Sequence, residues 1–569
     1  MKVVIIGGGT AGVGVATGLR RRDENAEIVI LEKSDEFAVA RPGLTDYLSG
    51  KITDPEQLQG ATVEQMAEIF KITVKLGHEV VNLDRRKKQL IIEGHDPESY
   101  DKLVLATGAL TLRPDIPGIL GDNIFTISNF RSVQKIRDYY LGTGAKKVLI
   151  LGGGEIGIAT AEACQRLGAE VTIVEAQSHI LPYFDEDMTA LLQNHLRDGG
   201  IKLYTDTLVT RFDEDTADLD NGSVIAYDLA IICTGVKPDV KIPVMADLEL
   251  GVSGGLWVNS YLQTNDKDIY ACGDNIEVVS LVTGEAFRWP SAALSLKESR
   301  VAAVNLASGS RKFAPVVGTS LVRAAGYYAV LCGASEHNLR SLGVGYRCVH
   351  LLQKDHDCYL PGGNQMILKL LFTPEGKILG AQGVGKSGID KRIDLIAEII
   401  RKGGTYLDLL EAEIAYGPED SAAKDAVNNL GSLAAGVVNG ETRYVFITEL
   451  DWCKVGNEIM LIDTRSPQLF KTGHIAHAVN IPLKTLRENL ASIPRDRQVV
   501  LYCGHGYGAY NAYCLLNQRG YDNVYLLSGS MDLYMEIMLN EIYNEHAAES
   551  MEEVWNRLQY ANDDDIVVQ

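Results

Sequence analysis

Two glycine fingerprints carry the clearest chemistry in this chain. The first, KVVIIGGGTAGVGVATGL, sets Gly7, Gly9 and Gly12 in the G-x-G-x-x-G spacing and is followed by Glu32 at the end of AEIVILEK. The second, KKVLILGGGEIGIATAEACQRLGAEVTIVEA, repeats the pattern about 145 residues on, with Gly152, Gly154, Gly157 and Glu175. In this spacing the first glycine allows a tight turn, the second admits a pyrophosphate, and the third lets helix and strand pack closely. The helix that follows aims N–H groups and a positive dipole end at the phosphates. The acid about twenty residues on can hold a ribose diol; Lys33 lies beside Glu32. Two such units in one chain imply a flavin and a nicotinamide meeting in one enzyme. Glu175 is followed by Ala176 and Gln177. With no arginine there to take a 2′-phosphate, NADH is expected over NADPH.

The elements that must position these residues read as alternating strand and helix, which implies an α/β fold with parallel sheets. The pattern runs over residues 1–112, ending in KLVLATGA, and again over 113–239, ending in LAIICTG. Residues 240–312 carry DIYACGD and then a long helix in WPSAALSLKESRVAAVNLASG. Residues 313–436 bring the strands YYAVLCGA, MILKLLFT and KILGAQGVG, then helices. Gly436–Thr442 reads as a linker. A further α/β unit, 437–545, holds the strands IMLIDTR, QVVLYCG and NVYLLSG, and 546–569 reads as an acidic tail that frays at NDDDIVVQ.

Composition bounds the function. The formal charge of −21 over 569 residues argues against nucleic acid or an anionic membrane as a main partner. No apolar run reaches the length of a membrane span, and the first strand begins at Lys2, which leaves no room for a signal peptide. Nine scattered cysteines fit a reducing cytoplasm better than a disulfide framework. No CxxC pair or clustered His/Cys spacing marks a metal site.

These motifs resemble a known family. Residues 1–436 resemble the pyridine nucleotide-disulfide oxidoreductases, in the branch of the coenzyme A-disulfide reductases and NADH oxidases, and 437–545 resemble a rhodanese domain. The resemblance implies two nucleotide-binding domains of glutathione-reductase type, an α+β dimerisation domain at 313–436, a C-terminal rhodanese domain, and a homodimer. YACGD resembles the second flavin motif, with Gly273 and Asp274 at the ribityl chain of FAD. ATG at Ala106–Gly108, with Thr107, and CTG at Cys233–Gly235 resemble the family's domain-crossing turns. Arg131 is implied near the flavin. SAAKDAVN at Ser421–Asn428 resembles a signature of the dimerisation domain. Tyr359 and Tyr416 match family tyrosines that reach the partner's flavin.

The chain also departs from the family pattern. Where the family carries a flavin-proximal cysteine, this chain reads ARPGLTDYLSG, with Arg41 and then Pro42 at the cysteine's place. A thiolate is the nucleophile of thiol–disulfide exchange, and proline cannot replace it. ARPGL resembles the cysteine-free rubredoxin- and ferredoxin-type reductases instead. Glu155 stands where an aromatic is usual and Ala159 where a glutamate is usual. Cys358, beside Tyr359 in HDCYLPGG, is a substitute thiol or simply a loop residue. Arg20 and Arg22, ending the first helix, are candidates for the phosphates of coenzyme A or a solvated basic helix end.

LIDTRSPQLFKTGHIAHAVNIPL matches the rhodanese opening, with Asp463 and Arg465 placed toward substrate, and LYCGHGYGAYNAYCLL matches its active loop. Cys503 ends a strand. Gly504, Gly506 and Gly508 let the backbone curl so that successive N–H groups stabilise negative charge on the sulfur. Gly508 replaces the loop's usual arginine, and His505 compensates in part.

The resulting expectation is an NADH-dependent FAD reductase of sulfane sulfur, a persulfide or a coenzyme A-type disulfide, with sulfur carried by Cys503. A second reading is a cysteine-free NADH oxidase or electron-carrier reductase with a separate rhodanese activity. A third is a flavin-binding redox sensor without turnover.

Overall fold

A computed structural model of the chain describes residues 1–545, residue 547 and the strand Val567–Val568. The remainder of the tail 546–569, including most of the stretch expected to fray, lies outside the described residues. Val567–Val568 pairs antiparallel with Gly473–His474. The structure divides into two units, 1–174 with 207–316 and 175–206 with 317–569.

The first unit holds two parallel sheets. One runs in the order Ile269–Ala271, Lys102–Leu105, Lys2–Ile6, Glu27–Glu32, Thr73–Leu76. The other runs Glu170–Val174, Lys147–Leu151, Leu229–Ile232, Ile124–Thr126. Their strands are continuous apolar runs because helices cover parallel sheets on both faces; Val3, Val4 and Ile5, like Leu149 and Ile150, have no exposed surface. Each fingerprint opens from a strand flanked on both sides. The helix Thr10–Arg20 packs on the long helix Ala292–Leu306 through Gly14 and Gly18: a Cβ at Gly14 would meet Ser299 Oγ at 2.5 Å, and one at Gly18 would meet Ala303 Cβ at 2.9 Å.

The second unit contains an antiparallel sheet in the order Thr319–Ala324, Tyr327–Gly333, Ile378–Gly385, Gln365–Phe372, Arg347–Lys354. The helix Ile389–Arg401 buries Ile389, Ile393, Ile396 and Ile400 in a three-four spacing. A parallel sheet follows in the order Tyr444–Val445, Val524–Leu527, Gln498–Tyr502, Ile459–Asp463, Val479–Asn480. The helix Ala426–Val438 runs two residues past Gly436, where the sequence reads as linker; the Thr442 side chain closes on Gly436, whose Cβ would lie 2.6 Å from Thr442 Oγ1. Residues 175–206 contribute the helix Glu186–Asp198, which packs on the helix Ser530–Glu545. Asn194 donates to the Glu536 carboxylate, Gln193 to Asn540, and Arg197 to Asn540.

Candidate active site

Each fingerprint is shaped by two crowded glycines and one open one. Gly7 has φ +111°, and a Cβ there would lie 2.2 Å from the Ala106 carbonyl oxygen; one at Gly12 would lie 2.0 Å from that of Gly7. Around Gly9, the N-cap of the helix, the space is open. The second fingerprint repeats this: Gly152 (φ +108°) would meet Cys233 at 2.5 Å, Gly157 would meet Gly152 at 1.9 Å, and Gly154 at the N-cap is open. An open glycine at a helix start, with no side chain closing it, is a cradle that a pyrophosphate fits. Glu32 shapes the first turn by accepting from the N–H groups of Gly8 (2.8 Å) and Ser34 (2.9 Å). In the second unit, Glu175 is buried and accepts from Gln177 N at 2.8 Å.

The two threonine–glycine turns are brought together: Ala109–Thr111 pairs antiparallel with Val236–Pro238, directly after Gly108 and Gly235. Thr107 Oγ1 donates to the Asp239 carbonyl at 2.7 Å, and Lys33 reaches the Asp239 carboxylate at 3.4 Å. Arg131 pairs with Asp35, while the backbone N–H groups of Phe130 and Arg131 bind the Glu36 carboxylate.

Asp274 is under the charge of Arg41. Burial pushes the Asp274 carboxyl up, and the Arg41 charge opposes that. Arg41–Gly43, including Pro42, forms one turn of 3-10 helix ahead of Leu44–Leu48. The three cysteines of this unit, Cys164, Cys233 and Cys272, are buried, and burial holds each thiol well above its ordinary value. No described thiol of the first unit is therefore both exposed and readily ionised.

Glu298, on the long helix, is 2% exposed and accepts from Gly273 N at 2.6 Å. Burial pushes its carboxyl up to about 8 from the ordinary 4.5. A carboxyl raised on folding destabilises progressively as pH climbs from its unfolded to its folded value. Glu298→Gln keeps an acceptor for Gly273 and removes the ionisation. The variant is expected to gain thermal stability over wild type at about pH 9 and not at about pH 5. Differential scanning fluorimetry checks this, and an equal change at both pH values contradicts it.

The geometry gives three of the candidate substrate residues, Arg20, Asp463 and Arg465, structural partners. Arg20 spends all five guanidinium donors on carbonyls: Phe70 (2.7 Å), Asp23, Glu24, Ala26 and Lys71. It closes the helix end and has no donor left for a phosphate. Arg22 donates to Gly18 O. Asp463 is fully buried and forked by Arg465, which also donates to Gly473 O, so the pair ties strand to loop.

Tyr359 and Tyr416 do meet, both exposed, with hydroxyls 3.5 Å apart. Tyr416 donates to Asp357 at 2.5 Å, and that carboxylate holds its hydroxyl above the ordinary tyrosine value. Cys358 is exposed in the same loop.

Cys503 directly follows the strand Gln498–Tyr502, and Gly506, at φ +97°, caps the helix Tyr507–Gln518. Gly506 N donates to Cys503 Sγ at 3.1 Å. The loop is anchored from the far side: Cys503 N donates to Ser530 Oγ at 3.2 Å, and Met531 N to Cys503 O at 3.0 Å. A Cβ at Gly508 would sit 3.5 Å from Sγ, so glycine leaves that approach open. His505 pairs with Asp532 through Nδ1 at 2.5 Å.

Sequence reasoning missed Asp532, Asp357, Glu298 and a buried cluster around Lys369. Glu298 had a local signal, an acid on the buried face of an amphipathic helix; the others had none. Lys369, with no exposed surface, meets Asp185 (3.1 Å), Asp187 (2.9 Å) and Glu336 (3.0 Å). His350 bridges Asp187 and Ser528, at 2.8 Å each.

A family model for pyridine nucleotide-disulphide oxidoreductases matches residues 1–293, and one for rhodanese-like domains matches 448–536. The reduced CoADR-RHD of Bacillus anthracis is 34% identical, with a TM-score of 0.92, over 95% of this chain and 98% of that one. The NAD-dependent persulfide reductase of A. fulgidus is 31% identical, with a TM-score of 0.89, over 94% and 100%. An NADH oxidase of Methanocaldococcus jannaschii is 29% identical over 76% of this chain and all of its own. The chain belongs to the pyridine nucleotide-disulphide oxidoreductase family and carries a C-terminal rhodanese-like domain. It is an oxidoreductase, and its family uses FAD and NAD(H).

Proposed function

We propose that this protein is an NADH-dependent FAD reductase of persulfide or coenzyme A-type disulfide sulfur, with Cys503 as the sulfur carrier. One observation carries it: two dinucleotide cradles of the same build share a chain with a glycine-loop cysteine, while every thiol of the first unit is buried. The relatives named as persulfide reductase and CoADR-RHD support the substrate class. Bound FAD would supply two-electron transfer from NADH. Gly7, Gly9, Gly12 and Glu32 hold the adenosine half of FAD, and Gly273, Asp274 and Arg41 its ribityl end. Gly152, Gly154, Gly157 and Glu175 hold NADH. Gly506 steadies charge on Cys503, and Tyr416 holds its proton against Asp357. For a persulfide the balance is RSSH + NADH + H⁺ → RSH + H₂S + NAD⁺.

A homodimer and a cytoplasmic place complete the reading. The dimer is supported by residues 313–436 and the exposed Tyr359–Tyr416 pair, and the reducing compartment by nine free cysteines among the described residues. Among those residues no helix is long and apolar enough to cross a membrane.

Anaerobic mixing with NADH followed by an acceptor screen tests the function. The flavin is expected to bleach and to turn over on organic persulfide or coenzyme A disulfide, with NADH preferred over NADPH by about tenfold in kcat/KM, about 1.4 kcal/mol. Pro42 favours the second reading, an oxidase or electron-carrier reductase. Turnover on oxygen or a carrier protein with none on sulfur would establish that reading, and an unbleached flavin would reduce the chain to a sensor.

A further inference from the structure

The loop around Cys503 faces an electrostatic problem. A sulfur donor such as thiosulfate is a dianion, the attacking sulfur is a thiolate, and the departing sulfite is again a dianion. The segment Cys503–Tyr510 contains no lysine or arginine. Its one titratable cation is His505, whose imidazole is 62% exposed at the mouth of the loop. Asp532, at the start of the helix Ser530–Glu545, binds Nδ1 at 2.5 Å, and Asp532 N also donates to Gly504 O at 3.3 Å. Among the described residues, Lys354, at the end of the strand Arg347–Lys354, is the other charge that acts on the imidazole.

We propose that His505 and Asp532 form a charge gate for Cys503. With the imidazole protonated the pair is neutral and a dianionic sulfane-sulfur donor can approach; with the imidazole neutral, the Asp532 carboxylate is unmasked against the loop that carries Cys503 and repels it. The proposal rests on Cys503 as the sulfur carrier and adds which donors it accepts and when. In the step concerned, the Cys503 thiolate attacks the outer sulfur of thiosulfate. A Cys–S–S⁻ bond forms, the S–S bond of thiosulfate breaks, and sulfite leaves with the electron pair; no outside oxidant or reductant is needed. The sign follows from the surroundings. The bond to Asp532 raises the imidazole above its ordinary value, while burial and the Lys354 charge pull it down. The gate therefore favours a dianion while His505 is protonated, and this advantage over a less charged donor is lost as pH rises through the His505 value.

The test uses the full chain loaded with thiosulfate or with an organic persulfide, a monoanion, from about pH 6 to about pH 9. Mass spectrometry follows the gain of one sulfur atom on Cys503. Wild type is expected to lose thiosulfate loading on the alkaline side. His505→Gln, with Asp532 always unmasked, is expected to load thiosulfate about tenfold more slowly at neutral pH, the size of a screened charge interaction, with no alkaline fall. His505→Arg restores the rate and abolishes the fall, a rescue that a merely structural histidine would not show. Asp532→Asn, with no carboxylate to unmask, is expected to keep loading thiosulfate on the alkaline side. Loading from the organic persulfide changes much less in all three. If His505→Gln matches wild type with thiosulfate at every pH, or if wild type takes sulfur from the persulfide and none from thiosulfate, the gate is wrong while the carrier role of Cys503 stands. If neither donor loads wild-type Cys503, the carrier role fails and the gate with it.

Discussion

Cys503→Ser is expected to abolish sulfur loading, with a fall of at least about a thousandfold, and to leave reduction of the flavin by NADH within about twofold of wild type. The oxygen of serine preserves size and can still accept from Gly506 N, which bonds Sγ at 3.1 Å, so the loop geometry survives. It cannot carry sulfur, because an alcohol is neither ionised near neutral pH nor soft enough to attack a sulfane sulfur. The anchors that hold the loop, Ser530 under Cys503 N and Met531 on its carbonyl, involve only backbone atoms of residue 503 and are untouched. The glycine cradles belong to the other unit. Stopped-flow absorbance and donor-dependent NADH oxidation separate the two activities. Full persulfide-dependent NADH oxidation by the serine variant would show that sulfur reaches the flavin without Cys503.

The second large effect is on stability. Lys369→Met is expected to cost about 3–5 kcal/mol, because it leaves three carboxylates around a position with no exposed surface and no lysine to answer them. Burial lowers the Lys369 ammonium, but Asp187, Asp185 and Glu336 together hold it well above its ordinary value. Burial likewise pushes Asp187 up, and Lys369 with His350 overcomes this and holds it below the carboxylate range. A depressed carboxylate contributes stability above its unfolded value and loses it as pH falls through the folded one. The penalty is thus full at neutral pH and shrinks in acid, where Asp187 takes up its proton. Urea denaturation of wild type and variant at both pH values measures it, and a loss below about 1 kcal/mol at neutral pH would contradict the account.

Lys369 also shows where the sequence stops being readable. In MILKLLFT the strand is evident from its apolar run, and the lysine looks like an interruption. Its partners come from positions 185, 187 and 336, and no local period links them. Arg20 and Arg22 are equivalent in the sequence; only the arrival of the Phe70–Lys71 carbonyls distinguishes them. The fingerprints were legible because their physics is local: a turn, a cradle and a helix start within six residues. The Cys503 loop was legible for the same reason, whereas Asp532, 29 residues on, was not. The strands of the antiparallel sheet were visible as apolar runs, but nothing local assigned residues 175–206 to the unit that holds it.

That assignment bears on how such a chain can be shortened or recombined. The helix Glu186–Asp198 lies far upstream of the rhodanese-like domain, yet its Gln193, Asn194 and Arg197 find partners on Glu536 and Asn540. Asp187 reaches Ser528 through His350. A gene cut near residue 440 would leave buried polar side chains facing water on the retained piece, their hydrogen bonds lost. The C-terminal domain is therefore not a cassette that can be swapped at its linker.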